Sequence, residues 1–594
     1  MDGATRSESP PRRARVESAI ARARAAVCAE QRDDGSWRGN IDAGPLFTAV
    51  ALALEHALGV LRPHDAIAGV RRLRAAQLAD GGIAAWPGAD RSSHEATSFW
   101  LAGMHAGGVA KDDPALLAAR RFLAAGGGLN RNLLIVRVVL AAAGVLDPRE
   151  LPPIPLAYKL VPGHESVLAR FFGVNALVPL HTLPALAYAL RRGHVGPSRA
   201  SARVIDYLSA RQDESGSLAG VPFYTMLMAL VLRRFGVPEG DDRIVRAIAF
   251  ARRTWSWDEH GLHVGPFHCE SWDTAHALRG LGDDHAAIDR GLAWLVATQS
   301  RGPAPRDWQT PPRDAPRHGG WSWQSGNARN PDIDTTAVVL AALARHDSWA
   351  RGDVRHAVRT GADWLRALQN PDGGFAAFSH GKRTAPLGAL HLPRAGLRDR
   401  IARWLAEHGD PSSADVTGRV LQGLGAVGHR RGELCIDRAV TFLARHQLGD
   451  GSWWGRWAIA YLPATSYIVS GLVAVGVDPR SRMVQRALQW LRARQNRDGG
   501  FGETPDAFAD PRRAGQGPSS VQVTSIVTIA LCDAGLGTTA TVTRAIDWLL
   551  AHQRDDGRWD DDACYGVIFP HRYYYRSDAF PTHMALEALH AHAR

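Results

Sequence analysis

The sequence predicts an all-α protein built as a double-layered helical barrel, and three observations carry that expectation. A unit of helix, Gln, Gly-containing turn and aromatic residue recurs along the 594 residues. After most copies comes a second segment that is apolar nearly all round. The composition, 45% hydrophobic and 22% charged, is that of a globular chain with a large core. Length alone would allow several domains, but repeats reduce that number.

In chain order the unit reads "RARAAVCAEQRDDGSW" (Arg22–Trp37), "VRRLRAAQLADGGIAAW" (Val70–Trp86), "RVIDYLSARQDESGSL" (Arg203–Leu218), a worn "RGLAWLVATQS" (Arg290–Ser300) and "GADWLRALQNPDGGF" (Gly361–Phe375). It continues as "RAVTFLARHQLGDGSW" (Arg438–Trp453), "RALQWLRARQNRDGGF" (Arg486–Phe501) and "RAIDWLLAHQRDDGRW" (Arg544–Trp559). Each copy opens as an amphipathic helix and stops at a Gly that supplies a left-handed cap. The Gln side chain is expected to reach the orphan backbone groups at that end, with the trailing aromatic packed over the junction. These motifs are therefore structural. The partner segments begin at Trp272, Thr336, Asp415, Thr465 and Val523, and all-round apolarity means burial on every side. Parallel inner helices bring their N-termini to one rim, which would collect Asp332, Asp334, Asp415 and Trp272.

The rest of the composition excludes several classes. No apolar run approaches ~18 residues without charge, so no transmembrane helix is expected. The opening "MDGATRSESPPRR" lacks the apolar core of a secretory signal and reads as a solvated tail. Five scattered cysteines without a CxxC pair fit a reducing cytoplasm. The net charge of +11 is spread evenly among the acidic residues, with no nucleic-acid-binding signature, so nucleic acid is not expected as a partner.

At this point the motifs resemble a known family, the squalene–hopene cyclases and their relatives, the class II terpene cyclases. The Gln–aromatic units look like that family's QW motifs, and "PDIDTTAVV" like its Asp-x-Asp-Asp-Thr-Ala signature. "DGSWWGRWAIAYL", "DGGFGET" and "IFPHRYYYRSDAFP" also correspond, from about Gln31 to the C-terminus and densely after Glu270. The resemblance implies two (α/α) barrels: a γ-type barrel over 25–250 and a β-type barrel over 255–594 that carries the acid motif. An N-terminal arm, 1–24, partly disordered, would pack back on the second. The pocket would lie between the barrels. The activity implied is that of an isomerase, a cyclase started by protonation.

By correspondence Asp334 is the proton donor, with Asp332 orienting its proton and Thr335 standing where the family has a third acid. Protonating an alkene needs a strong acid that is still protonated when substrate arrives. Burial and a neighbouring carboxylate raise an Asp pKa, a helix N-terminus lowers it, and the pair should titrate as a unit. Asp is also a favoured helix cap, and both roles can hold together. Where hopene cyclases carry a His, this chain has Arg419, spaced four residues from Asp415 as an ion pair allows. The same correspondence gives Trp272, Trp323, Phe378, Trp457, Phe569 and Tyr573 as the lining that stabilises cations, at roughly 2 kcal/mol or more per desolvated contact.

The segment around "LVPGHESVLARFFGVNALVPLH" is shorter than the membrane-docking region of squalene cyclases, and Val139 stands where they have a pocket Trp. His571, Arg572 and Arg576 bring positive charge near the pocket floor, and Arg suits phosphate. The DIDTT variant resembles that of bacterial drimenyl diphosphate synthases. The expected substrate is therefore farnesyl diphosphate, closed to a bicyclic drimane-type diphosphate with the diphosphate retained. A squalene–hopene-type reaction or a class II diterpene cyclase acting on geranylgeranyl diphosphate is the alternative. Arg572, Arg576, Lys159 and Arg170 are the candidate diphosphate ligands. Mg²⁺ is expected as the diphosphate's companion, with Asp33 and Asp34 as candidate holders, and no organic cofactor. A downstream phosphatase is a candidate partner, and a cytoplasmic location leaves room for peripheral membrane association. No DDxxD motif supports ionisation-driven chemistry. A prenyltransferase-like zinc site would need more than His268, Cys269 and Asp273.

Overall fold

In the computed structural model the described residues are 12–160, 174–282, 285–302, 316–324, 326–327, 329–345, 351–378, 380 and 409–594. The side chains of 174–180 and 285 fall outside the description. The chain is predominantly helical, and its buried apolar residues divide into two cores.

The larger core belongs to a closed double ring. Six inner helices, Glu270–Leu281, Ile333–Leu343, Ala414–Ala426, Leu462–Ala474, Val521–Asp533 and Phe580–Ala593, each contact the next, and the last returns to the first. Each also carries an outer helix: in the same order His285–Thr298, Gly352–Ala367, Leu434–His446, Arg482–Ala493, Ala540–Ala551 and, on the last, Arg12–Ala29. The inner helices are buried on most faces, as their apolar runs require, whereas the outer ones bury one stripe.

The repeat motif is the seam of this ring. Gln447 Nε2 donates to the Gly451 carbonyl at 2.9 Å, closing its own turn, and to the Met483 carbonyl of the next outer helix, also at 2.9 Å. Gln31, Gln299, Gln369, Gln495 and Gln553 repeat this double bond around the ring, so the worn copy at Gln299 is a full member. The trailing Trp453 donates its indole N–H back to Leu443 O at 2.8 Å, and its backbone N–H donates to Thr465 Oγ1 of the inner helix at 3.0 Å. Gly451 is required here: φ is +99°, and a Cβ would stand 2.7 Å from the Arg486 carbonyl oxygen.

The smaller core fills a second ring of five inner helices, Leu46–Leu58, His94–Ala106, Leu134–Ala142, Val174–Arg192 and Pro222–Arg234, again closed last to first. The boundary differs from the expected division at residue 25. Val16 to Val27 and Trp37 pack in the larger core, because Gln553 staples to Ala19 O at 2.9 Å and Gln31 to Ala287 O at 2.8 Å. The first repeat thus closes the C-terminal barrel, and the smaller core starts at Leu46. Small antiparallel sheets interrupt the helices. In one, Ile41–Asp42 pairs with Tyr573–Ser577, which pairs with Gly566–Phe569. The stretch read as pocket floor is therefore a hairpin, with His571 at its turn (φ +67°).

Candidate active site

The two cores meet over a cavity of about 210 Å³ lined from both sides. The smaller ring supplies apolar side chains such as Phe47, Phe99 and Phe223. The larger ring supplies its N-terminal rim, with Trp272, Asp334 and Arg419, and the hairpin supplies Phe569 and Tyr573.

Register explains why Asp334 stands there. Each inner helix carries a Thr whose hydroxyl accepts the N–H of the aromatic that ends a repeat: Thr274, Thr336, Thr417, Thr465, Thr524 and Thr582. Two residues before that Thr, the equivalent position holds Trp272, Asp334, Asp415, Pro463, Gln522 or Phe580. Two of these are carboxylates, and they are used differently. Asp415 Oδ2 accepts the backbone N–H groups of Trp457 (2.8 Å) and Ala458 (3.1 Å), fixing the loop that presents Trp457. Asp334 takes no backbone partner among the described residues. Its Oδ1 and Oδ2 accept from Arg419 Nε at 2.5 Å and Nη2 at 2.6 Å.

Burial raises the Asp334 carboxyl, Arg419 opposes the rise, and the charge of Asp415 adds to it; the net shift is upward. Burial works against the Arg419 charge, but Asp334 and Asp415 outweigh it and hold the guanidinium protonated. Arg419 also lies over the rings of Tyr467 (4.6 Å) and Trp272 (5.7 Å), which fix its plane. The expected Asp415–Arg419 pair exists at 3.8 Å, yet the shorter contact is to Asp334. Asp332 differs from expectation too. It caps its helix, Oδ1 accepting the Thr335 N–H at 2.6 Å, and makes no hydrogen bond to Asp334 among the described residues. Its Oδ2 is buried, and the Trp323 backbone adds to the groups that favour its charged form. Burial pushes its carboxyl well above the ordinary range, Thr335 opposes and Asp334 adds to the rise.

The aromatic residues expected around the cavity all line it. Trp323 meets Phe378 edge-on at 5.6 Å and Phe378 meets Trp457 at 5.4 Å, forming one wall. Asp410 fixes that wall by accepting the backbone N–H of Ala377 (3.0 Å) and of Phe378 (2.8 Å). Tyr573 donates to Glu95 Oε2 at 3.0 Å and contacts Phe569 edge-on at 6.2 Å. Sequence reasoning missed the opposite wall (Phe47, Phe99, Phe223 and Tyr224) and Tyr565 and Tyr575. Of these, Phe223 and Tyr224 stand in the first turn of the inner helix Pro222–Arg234, at its N-terminal end.

Other expected residues lie elsewhere. Arg572 and Arg576 line an adjoining pocket that shares Leu46, Phe47 and Tyr573 with the main cavity. Arg572 is ion-paired with Glu95, and Arg576 with Asp42 (2.9 Å) and Asp562 (2.5 Å). Lys159 is buried against His181 and lies over the Tyr207 ring at 4.3 Å, away from the cavity lining. Arg170 lies outside the described residues. Val139 is buried in the smaller core rather than in the lining. Asp34 spends Oδ1 on the N–H (2.9 Å) and hydroxyl (2.6 Å) of Ser36 in its repeat turn, and no group of three or more His, Cys, Asp or Glu suited to a metal occurs among the described residues. Neither Asp33 nor Asp34 lines the main cavity or the adjoining pocket that holds Arg572 and Arg576. His268 Nε2 is turned to Arg253 O at 2.8 Å and Asp273 Oδ2 accepts the Gly39 N–H at 2.9 Å, so these two do not converge with Cys269.

Residues 269–594 match the Squalene-hopene cyclase C-terminal domain family, and residues 20–169 match the Squalene-hopene cyclase N-terminal domain family. The chain belongs to the squalene–hopene cyclase family of class II terpene cyclases. This cyclase is 29% identical to the terpene cyclase–glycosyl transferase fusion protein fsoA of Humicola fuscoatra over 94% of its own length, and spans about half (48%) of that protein. It is 29% identical to the squalene–hopene cyclase of Alicyclobacillus acidocaldarius, with 92% of each chain covered. The fold matches that of the ent-copalyl diphosphate synthase from Streptomyces platensis, with a TM-score of 0.57, 18% identity and coverage of 98% of the cyclase and 100% of that chain. No described helix of the cyclase is long and apolar enough to cross a membrane.

Proposed function

We propose that the cyclase closes rings on a polyprenyl chain by protonating its terminal double bond, with Asp334 as the acid. The observation that carries this reading is Asp334 itself: at a position where Asp415 serves the backbone, it faces an aromatic cavity and, among the described residues, is held by Arg419 alone. A carboxylate offers about four lone-pair sites. Arg419 takes one on each oxygen, and a second on each is left for the proton to be transferred. Beside a cation that proton is held less tightly than burial alone would dictate, so the group is a stronger acid.

The positive charge that forms moves along the chain as rings close. Trp272, Trp323, Phe378 and Trp457 stabilise it by their faces, and the largely apolar walls keep water from trapping it. Loss of a proton ends the sequence, so product and substrate are isomers. The substrate we assign is farnesyl diphosphate, closed to a bicyclic drimane-type diphosphate. Its charged end would occupy the adjoining pocket, where Arg572 and Arg576 would exchange some of their present carboxylate partners for phosphate oxygens. The diphosphate is retained because the charge starts at the other end.

One observation favours a second reading. Within the described lining of the main cavity Arg419 is the lone cation, and it is committed to Asp334. That suits a substrate whose whole length is hydrocarbon, as in a squalene–hopene-type reaction; a geranylgeranyl diphosphate would meet the same two Arg as the shorter chain. Incubation with farnesyl diphosphate, geranylgeranyl diphosphate and squalene, with product analysis before and after phosphatase, decides between them. A cyclic alcohol released only after phosphatase supports the first reading. A cyclic hydrocarbon from squalene, with both diphosphates unchanged, overturns it.

A further inference from the structure

A cyclisation started by an acid must also end, and the group that takes the last proton is set by where the charge stops. In farnesyl diphosphate the acid adds its proton at the double bond farthest from the diphosphate. Two ring closures then carry the positive charge back along the chain, to a carbon two bonds from the one that bears the diphosphate. The base therefore belongs at the head end of the cavity, away from Asp334. Among the described lining residues the carboxylates are Asp273, Asp332 and Asp334, and all three come from the rim of the C-terminal barrel. The strand Tyr573–Ser577 spans the distance between the two ends. Ser577 pairs with Ile41, close to the Gly39 whose N–H Asp273 accepts, and Tyr573 stands ~13 Å further along the strand.

Tyr573 lines both the main cavity and the adjoining pocket of Arg572 and Arg576. The cavity lining also holds Tyr224, Tyr565 and Tyr575, but among the described residues Tyr573 alone of these hydroxyls is hydrogen-bonded to a carboxylate. That carboxylate is Glu95, in the first turn of the inner helix His94–Ala106, and it stands behind the tyrosine, outside the lining. Its Oε2 accepts from Tyr573 at 3.0 Å and its Oε1 from Arg572, and its side chain is 18% exposed. Burial and the neighbouring Glu95 charge push the Tyr573 hydroxyl well above its ordinary range. It therefore stays protonated, and it can accept a proton only while giving up its own.

We propose that Tyr573 and Glu95 together form the base that ends the cyclisation, Tyr573 taking the proton from the bicyclic cation and Glu95 taking that of Tyr573. The inference rests on the farnesyl diphosphate reading. A C–H bond on a carbon next to the cationic one breaks, and its electron pair becomes the new double bond. The proton goes to Tyr573 Oη as the tyrosine's own O–H proton passes to Glu95 Oε2. Cation and carboxylate become alkene and carboxylic acid, so charge and atoms balance, and the partly exposed Glu95 returns the proton to water. Binding of the head primes this base. When Arg572 turns from Glu95 to a phosphate oxygen, Glu95 loses a cationic neighbour and holds a proton more tightly.

Tyr573→Phe keeps the ring and removes the oxygen, whereas Glu95→Gln keeps the shape and replaces the carboxylate by an amide. Both act after the charge has formed, so consumption of farnesyl diphosphate should fall by less than about tenfold. The main bicyclic alkene should drop from nearly all of the product to under about half, with double-bond isomers and hydrated diphosphates making up the rest. Mass spectrometry of the alcohols released by phosphatase reads this change, which a merely structural role would not produce. The same single alkene from either folded variant overturns the proposal, whatever its rate, as does a folded variant that consumes no farnesyl diphosphate. If Tyr573→Phe does not fold, Glu95→Gln decides in its place. A wild type that cyclises squalene and leaves farnesyl diphosphate unchanged sinks the substrate reading, and this inference with it. A wild type that makes a drimane-type diphosphate, with variants that match it, overturns the base alone.

Discussion

Asp334 and Arg419 set the pH response of the site. In the proposed reaction the acid form of Asp334 is the active one, and burial raises its pKa with Arg419 opposing. Activity is therefore expected to be full at low pH and to fall as pH rises through a midpoint above the ordinary Asp value of ~3.9, as a pH–rate profile of kcat/KM will show. Arg419→Gln removes the group that lowers this pKa. Its alkaline limb should move to higher pH while kcat drops by about 10²-fold, since the acid is weaker and less well aimed. A limb that moves down instead contradicts the assigned electrostatics. Asp334→Asn, which keeps the shape but has no proton to give, should lose at least about 10³-fold in turnover with the helical circular dichroism unchanged.

The outer helices and their turns are joined by Gln side chains, and this can be tested one staple at a time. Gln447→Leu leaves the Gly451 and Met483 carbonyls without their donor and should cost about 1–3 kcal/mol, read as a lower denaturation midpoint at unchanged slope. Gly451→Ala, which places a Cβ 2.7 Å from the Arg486 carbonyl, should cost at least as much. The alternation of outer and inner helices was legible in the sequence because a 3.6-residue stripe, a capping Gly and an apolar run are local signals. The reach of each Gln to the following helix was not, since its acceptor lies tens or hundreds of residues away. The acid motif is legible as DIDTT, and the spacing of four that pairs Arg419 with Asp415 is visible on one helix, whereas the shorter contact of Arg419 to Asp334 joins neighbouring helices and is not. The sheet at 566–577 is hidden for a related reason: its second strand, Tyr573–Ser577, also pairs with Ile41–Asp42, far away in the sequence. The far wall of the cavity comes from the other ring, where Phe47 or Phe223 looks like any core aromatic.

At the scale of the whole molecule, stability near neutral pH draws on the Arg279–Glu587–Arg345 cluster that ties three inner helices together. Burial works to raise the Glu587 pKa, but the two guanidinium groups outweigh it and leave it below the usual 4.5. A depressed carboxylate pKa contributes stability above its unfolded value, and that contribution drains away as pH falls through the folded one. Thermal unfolding of the wild type should therefore weaken between about pH 5 and 3, with a smaller drop in Glu587→Gln, whose neutral side chain has no charge to lose. The ring that this cluster braces is closed by Arg12–Ala29, stapled through Gln553 to Ala19 O. That helix precedes every other element of the ring in sequence, yet its apolar stripe is covered mainly by Phe580–Ala593, more than 500 residues on. Until Phe580–Ala593 has been made the C-terminal barrel is an open arc with two unmatched edges, so the ring closes only when its most distant parts meet.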